Sequence, residues 1–106
     1  MIEENAANIG VETEKKMELS ELRNEIDRID GELTALFLRR MEVSKQIAEC
    51  KASQGLPVRN ALREAAVLDK VSADAPEELK ASVRALYSEI MRLSREYQLN
   101  THPELK

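Results

Sequence analysis

Arg40 and Lys51 are the two residues whose type and spacing first point to chemistry. Arg40 interrupts a run of apolar residues at a position where a packed helix needs an apolar side chain. Lys51 follows 11 positions later, which on a helix places it ~20° from the direction of Arg40 and ~16 Å further along the axis. Two long cationic side chains on one helix face could together bracket an anion of roughly 10 Å.

Both cations also have an ordinary interpretation. Arg40 could extend its charged end to solvent at a loose point of an interface, or pair with a carboxylate such as Glu89. Lys51 could be a solvated lysine at the end of a helix, where the helix dipole favours a positive charge. The sequence alone leaves these alternatives open.

A polar stripe later in the chain could supply neutral hydrogen-bonding groups. Tyr87, Met91, Ser94 and Gln98 follow one another at spacings of 4, 3 and 4, so they share one face of a helix. Ser94 and Gln98 then project from adjacent turns. The alternative is an ordinary stripe at the boundary between core and solvent.

A further pair of charged residues lies near the start of a predicted short helix. Asn60 is a suitable N-cap, and Arg63 and Glu64 follow within one turn. In the ordinary interpretation both are charged surface residues in the first turn of the helix, where the helix dipole favours the negative charge of Glu64.

Other catalytic machinery is missing from the sequence. His102 and Cys50 are the single histidine and the single cysteine, so neither a nucleophilic triad nor a structural zinc site can be assembled in one chain. There is no glycine-rich phosphate loop. We therefore expect no metal and no cofactor. An enzyme of this composition would hold a polyanion in a reactive conformation and stabilise charge as it develops.

Composition narrows the class of protein further. The chain has 106 residues, 42% hydrophobic and 34% charged, with 16 Lys and Arg against 20 Asp and Glu. This composition fits a single helix-rich domain, and three Gly and three Pro are too few for an all-β fold. The acidic balance argues against nucleic acid as a partner. The lone cysteine and the absence of a signal peptide or an apolar span predict a cytoplasmic protein that does not enter a membrane.

The apolar periodicity predicts three helices: long, short and medium. The first should run from about Glu18 to Gln54 and end at Gly55, with Pro57 preventing its continuation. The second should begin after Asn60. For the third, the pattern predicts a capping box from Asp74 to Glu77. We expect a flexible acidic leader at 1–17, a folded domain at 18–99, and a frayed tail or the start of a linker at 100–106.

The apolar stripe of the first helix predicts an obligate homodimer. We call this first helix, predicted from about Glu18 to Gln54, α1. We define the α1 stripe as the positions that recur at spacings of three and four before Arg40: Leu19, Leu22, Ile26, Ile29, Leu33 and Leu36. A helix of ~37 residues is ~55 Å long. A compact chain of this size is only ~35 Å across, so a second copy is the simplest cover for the stripe.

These elements together resemble the all-helical chorismate mutases, which are intertwined helical homodimers that rearrange chorismate to prephenate. The resemblance covers about Leu19 to Gln98 and rests on the order and spacing of several short motifs. These are Leu22-Arg23, Ile29-Asp30 with Leu33, Arg40, Lys51, Pro57-Val58-Arg59, Arg63-Glu64, and Ser94 with Gln98.

The resemblance implies a role for each polar residue. Arg40 and Arg23 would each bind one carboxylate of chorismate, and Ser94 would contact the ring carboxylate. Lys51 and Gln98 would donate hydrogen bonds to the ether oxygen whose C–O bond breaks.

The resemblance also assigns roles to the start of the second helix. Glu64 would accept a hydrogen bond from the ring hydroxyl, and Arg63 would support the pocket. Position 60 is usually Asp in the family and is Asn here, which weakens an acceptor role for Asn60 in hydroxyl recognition but keeps its N-cap role.

The spacing of Arg23 and Arg40 again favours a dimer. The two residues are 17 positions apart on one helix, a separation of ~25 Å. They cannot both contact one small dianion from the same chain, so Arg23 should act in the partner's site. Two equivalent sites per dimer follow.

Two alternative functions remain open. Isochorismate pyruvate lyase shares the fold and a similar cationic pocket, and a non-catalytic helical dimerisation module would share the apolar stripe. Mutase domains of this kind often precede a prephenate dehydratase or dehydrogenase domain, so the chain could be the N-terminal mutase domain of a bifunctional enzyme.

Overall fold

The fold is all-α, as predicted. A computed structural model describes the backbone of residues 2–106 and the side chains of residues 18–106. Within this range there are three α-helices and no strand: α1 (Ile2–Gln54), α2 (Ala61–Ala73) and α3 (Glu77–Thr101), followed by a 3-10 turn at Pro103–Leu105. α1 begins at Ile2 and not at about Glu18, so the predicted start of the first helix is wrong. The expected acidic leader, residues 1–17, lies outside the residues whose side chains are described, and its flexibility stays a prediction. Along the described part of the chain, no helix combines the length and apolarity that crossing a membrane requires.

The chain divides into two compact units, residues 1–38 and residues 39–106. The first unit consists of α1 residues alone. Among the residues whose side chains are described, the six apolar residues of the α1 stripe, from Leu19 to Leu36, are between 51% and 58% exposed. The second unit holds the end of α1 together with α2 and α3, and every contact described below lies within it.

The end of α1 is set by Gly55, as predicted. Gly55 has a positive φ of 69°, a conformation that costs a glycine little because it lacks a Cβ. The N–H of Leu56 donates to the carbonyl of Lys51 across 2.9 Å, which closes a Schellman-type turn. The chain then runs without helix to Asn60.

Asn60 caps α2, also as predicted. Its side-chain oxygen accepts a hydrogen bond from the backbone N–H of Arg63 at 3.0 Å, which satisfies one of the unpaired donors of the first turn. Toward the other end of α2, Arg84 of α3 donates to Asp69 and to the buried Ser72, both at 3.1 Å. These bonds tie α2 to α3.

The predicted capping box at the start of α3 is wrong. Asp74 is the C-cap of α2, and its N–H donates to the carbonyl of Ser72. The N-cap of α3 is Pro76, which makes no side-chain hydrogen bond, and the helix begins at Glu77. Because α3 begins at Glu77, its capping position falls on Pro76, two residues after Asp74.

The end of the chain also differs from the expected frayed tail. α3 continues to Thr101, whose hydroxyl donates to the carbonyls of Tyr97 and Gln98 at 3.0 and 3.2 Å. The N–H of His102 donates to the carbonyl of Gln98, and Leu105 donates to His102 in the 3-10 turn. These backbone bonds order residues that the sequence pattern alone does not mark as structured.

The buried face of α3 carries Met91, Ser94 and Gln98 of the stripe described above. Met91, Ser94 and Gln98 are buried, whereas Leu79 and Leu86 are about half exposed. On α1, Ser44 and Ala48 are the buried residues. Polar and apolar side chains therefore share the centre of this unit, and part of its apolar surface has no cover within the described chain.

Candidate active site

A cavity of about 430 Å³ lies between the C-terminal part of α1, the first half of α2 and the C-terminal half of α3. This volume is in the range of small-molecule binding pockets. All of its lining residues belong to the second unit: Arg40, Val43, Ser44, Ile47, Lys51, Asn60, Arg63, Glu64, Val67, Met91, Ser94, Arg95 and Gln98.

Seven of the eight predicted site residues line this cavity: Arg40, Lys51, Asn60, Arg63, Glu64, Ser94 and Gln98. Arg23 is the exception. It belongs to the first unit, where it is exposed, and it is not a lining residue.

Lys51 is held at one end of the cavity by acceptors from two other segments. Its ammonium donates to the carbonyl of Val58, and it also donates to Oε1 of Gln98 across 3.3 Å. Burial lowers the pKa of Lys51 below its ordinary value, and the nearby negative charge of Glu64 partly opposes this shift. Lys51 is therefore a partly desolvated cation, fixed in direction by neutral oxygen atoms.

The contact with Lys51 also orients the Gln98 amide. A lysine ammonium only donates, so the amide oxygen faces it and the amide nitrogen faces the opposite way. Nε2 of Gln98 donates to Oγ of Ser44 at 2.9 Å and to Oγ of Ser94 at 3.3 Å. The two serine hydroxyls are also hydrogen-bonded to each other. Lys51, Gln98 and the two serines thus form one connected network, with Gln98 at its centre.

Arg40 lies on the cavity wall without a carboxylate partner. Its guanidinium is 5.9 Å from the centroid of the Tyr87 ring, within reach of a cation–π interaction. Glu89, the alternative partner weighed above, pairs instead with Arg92 at 2.6 Å. Among residues 18–106, no acidic side chain forms an ion pair with Arg40.

Glu64 is the single carboxylate of the cavity lining, and it is paired with arginines. Its Oε2 accepts a hydrogen bond from Arg95 at 2.5 Å, and its Oε1 lies 3.7 Å from Nε of Arg59. The side chains of Glu64 and Arg95 are only 19% and 27% exposed. Glu64 is therefore held as an ionised acceptor at the start of α2.

The cavity is cationic, although the whole chain is acidic. Four cations, Arg40, Lys51, Arg63 and Arg95, face one carboxylate across it. In a partly enclosed space such a balance favours an anionic ligand. Among the described residues, no group of three or more His, Cys, Asp or Glu side chains could hold a metal ion.

Sequence reasoning missed two polar members of the site. Ser44 had a usable signal, because Arg40, Ser44, Ile47 and Lys51 recur at spacings of 4, 3 and 4 on the face that carries the cations. Arg95 had none. It follows Ser94 directly and precedes Glu96, so it resembles an ordinary surface arginine.

Comparison with known proteins places this site in a family context. The profile of the family described as chorismate mutase type II matches residues 22–99, a range that contains the cavity and Arg23. The match covers well over half of the chain. No solved structure matches the chain significantly.

Individual relatives agree with the family match. A bifunctional chorismate mutase/prephenate dehydratase of Aquifex aeolicus is 43% identical over 54 residues, which are 51% of this chain and 15% of that protein. The T-protein of Haemophilus influenzae is 37% identical over 75 residues, 70% of this chain and 19% of that protein.

A third relative is closer in size. The intracellular chorismate mutase of Mycobacterium tuberculosis is 37% identical over 67 residues, which are 63% of this chain and 64% of that protein. The chain thus spans less than two thirds of the length of each of these relatives. The family profile and the cationic, all-helical cavity agree, and the chain belongs to the chorismate mutase type II family.

Proposed function

We propose that the chain catalyses the rearrangement of chorismate to prephenate in the cavity between its three helices. The observation that carries this proposal is the grouping of Arg40, Lys51, Glu64, Ser94 and Gln98, from three helices, around one cavity. Chorismate carries two carboxylates, an ether oxygen and a hydroxyl. The cavity has cations for the carboxylates, donors for the ether oxygen and an ionised acceptor for the hydroxyl.

The first contribution of the site is selection of the reactive conformer. The rearrangement is intramolecular, so it needs neither a nucleophile nor a metal. Arg40 binds one carboxylate and Ser94 contacts the ring carboxylate, which holds the substrate in its folded form. Restricting a flexible substrate in this way removes part of the entropic barrier.

The second contribution is stabilisation of the ether oxygen as its C–O bond breaks. Lys51 and Gln98 are the donors for the negative charge that develops there. Nε2 of Gln98 has two hydrogens, and both are committed to serine hydroxyls in the free site. Substrate binding therefore exchanges the longer bond, to Ser94 at 3.3 Å, for a bond to the ether oxygen. Ser94 only accepts in that bond, and its own O–H donates to the ring carboxylate while Ser44 is the donor in the bond between the two serines.

Hydroxyl recognition falls to the start of α2. Glu64 accepts from the ring hydroxyl, and Arg63 supports the pocket beside it. Asn60 uses its oxygen to cap α2, so its amide N–H groups serve as donors toward the ligand.

The functional unit in this proposal is a homodimer. The half-exposed α1 stripe supports a second copy as its cover, because burial of this stripe from water is favourable. The partner chain then contributes Arg23, which binds the remaining carboxylate, and each dimer has two sites. We place this dimer in the cytoplasm, consistent with a single unpaired cysteine.

The test is product analysis with two substrates. The purified chain is incubated with chorismate and, separately, with isochorismate, and the products are separated by chromatography. We expect prephenate from chorismate at a rate far above the spontaneous reaction. Salicylate and pyruvate from isochorismate as the main products would instead identify a lyase, and no turnover of either substrate would favour a dimerisation module.

A further inference from the structure

We propose that Arg95 is a positioning residue that holds Glu64 away from Lys51 and so keeps the Lys51 ammonium available as a donor to the ligand. The effect of Arg95 on catalysis rests on the proposed function. The structural part of the inference, the separation of Glu64 from Lys51, can be tested without any reaction.

The cavity contains a pair of opposite charges that could neutralise each other. Lys51 and Glu64 line the same cavity, and the charge of Glu64 acts on Lys51. In the part of the chain that the structure describes, the two nevertheless form no ion pair. Lys51 donates to the neutral oxygens of Val58 and Gln98 instead.

The contacts of Glu64 explain why this pair does not form. Arg95 donates to Oε2 at 2.5 Å, and Arg59 approaches Oε1 at 3.7 Å. Arg95 is the closer and better buried of the two, since Arg59 has a side-chain exposure of 67%. A charge-assisted bond of this kind is strong, so Arg95 determines the direction in which the carboxylate points.

The consequence for the reaction follows from the chemistry of the donor. An ammonium paired with a carboxylate has part of its charge neutralised and one of its donors occupied. It is then a poorer partner for an oxygen that develops negative charge in the transition state. Arg95 therefore acts on the reaction through Glu64 and Lys51.

The first measurement is the pKa of Lys51, followed by NMR of labelled lysine side chains in the full chain. The charged groups that face Lys51 across the cavity are Arg40 on α1, Arg63 and Glu64 on α2, and Arg95 on α3. Arg95→Gln removes a cation and releases the carboxylate toward Lys51. Both changes raise the pKa of Lys51.

Arg92→Gln is the matched control. Arg92 lies one turn earlier on α3 and pairs with Glu89 and Glu96 outside the cavity. We expect it to leave the pKa of Lys51 unchanged. Arg95→Lys keeps the charge but loses the planar fork, so it should give a smaller shift. If Arg95→Gln folds poorly, the pKa of Lys51 can be measured in Arg95→Lys instead.

The second measurement is a double-mutant cycle on chorismate turnover. We expect Arg95→Gln to lower kcat by roughly 10- to 100-fold with little change in KM, because a donor is misplaced. In a Glu64→Gln background the same substitution should cause little further loss, because the carboxylate that it releases is gone. A purely structural role would give equal losses in both backgrounds.

The possible outcomes separate the two proposals. An unchanged Lys51 pKa in Arg95→Gln would overturn the inference, whatever the activity. Equal losses in both backgrounds with a raised KM would overturn it in favour of direct contact between Arg95 and the ligand. A Lys51 pKa that Arg95→Gln raises more in the wild-type background than in the Glu64→Gln background, in a chain that does not consume chorismate, would support the positioning role and contradict the proposed function.

Discussion

Lys51 at the end of α1 donates to Oε1 of Gln98 on α3 across 3.3 Å, and this bond decides which end of the Gln98 amide faces the serines. The Lys51 ammonium and the Gln98 amide therefore lie side by side. Nε2 of Gln98 points toward the hydroxyl groups of Ser44 and Ser94.

Replacement of Gln98 by Leu should remove one of these donors. We expect kcat for chorismate to fall by ~10²–10³, the usual cost of losing one donor to a developing oxyanion. The chain should still fold, because Ser44 and Ser94 remain hydrogen-bonded to each other. Steady-state kinetics measures the loss, and Gln46→Leu at an exposed position of α1 is the control. Similar losses in both variants would contradict a specific role for Gln98.

The substitution Arg40→Leu distinguishes the proposed enzyme from a non-catalytic dimerisation module. The substitution loses a cation–π contact with Tyr87, worth about 0.5–1 kcal/mol, and gains an apolar residue in line with the α1 stripe. Its melting temperature should therefore change little, whereas chorismate turnover should fall by at least ~10² because a carboxylate ligand is lost. Calorimetry and kinetics test this, with the exposed Arg39→Leu as the control. Retained turnover would eliminate the proposed site.

The pH dependence should be flat near neutrality, with a decline only at basic pH. Lys51 donates only while it is protonated, and its pKa is lowered by burial, so kcat/KM should fall as pH rises through this lowered pKa. Glu64 raises the pKa of Lys51, so Glu64→Gln should move the basic decline to lower pH. A pH series of kcat/KM tests the direction, with the exposed Glu78→Gln as control. A shift to higher pH, or an optimum confined to acidic pH, would contradict the assignment.

The α1 stripe should hold two chains together. Leu33 is 53% exposed in one chain, and Leu33→Asp would place a charge in the proposed interface at a cost of several kcal/mol. We expect sedimentation to show dissociation, with loss of chorismate turnover. Thr34→Asp on a different face of the helix should leave the dimer intact. An unchanged sedimentation coefficient for Leu33→Asp would show that the stripe is not the interface.

Arg23 should complement a defect in the other chain. Arg23→Ala and Lys51→Ala should each be nearly inactive, because every site lacks one ligand. When the two variants are unfolded and refolded together, half of the dimers are mixed, and each mixed dimer has one intact site. About a quarter of the wild-type activity should return. No recovery on mixing would place Arg23 and Lys51 in the same chain's site, or outside the site altogether.

Local chemistry allowed the end of α1 and the start of α2 to be predicted. Gly55 adopts a backbone conformation that favours glycine, and Asn60 has a side chain that reaches its own first turn. Both signals involve neighbours in sequence. Asp74 misled the prediction for the same reason, since a capping residue can equally close the preceding helix, and only the backbone path decides between the two.

The predicted cations and polar residues of the cavity follow from helical spacing, but the contacts between them do not. Arg95 and Glu64 are 31 residues apart, and no periodicity connects them. Which face of α3 is buried was equally hidden, because its apolar residues form a complete stripe of their own. The exposure of Leu79 and Leu86 beside the buried Ser94 and Gln98 emerges only from the packing of three helices.

The turn at Gly55 also constrains the length of the loop that follows it. Lys51 is bonded at both ends within this turn: its carbonyl accepts from Leu56 and its ammonium donates to Val58. Most connections between helices tolerate added residues. Here a single insertion between positions 55 and 58 would shift Val58 relative to Lys51 and turn the ammonium away from Gln98. The length of this loop is therefore part of the chemistry of the site.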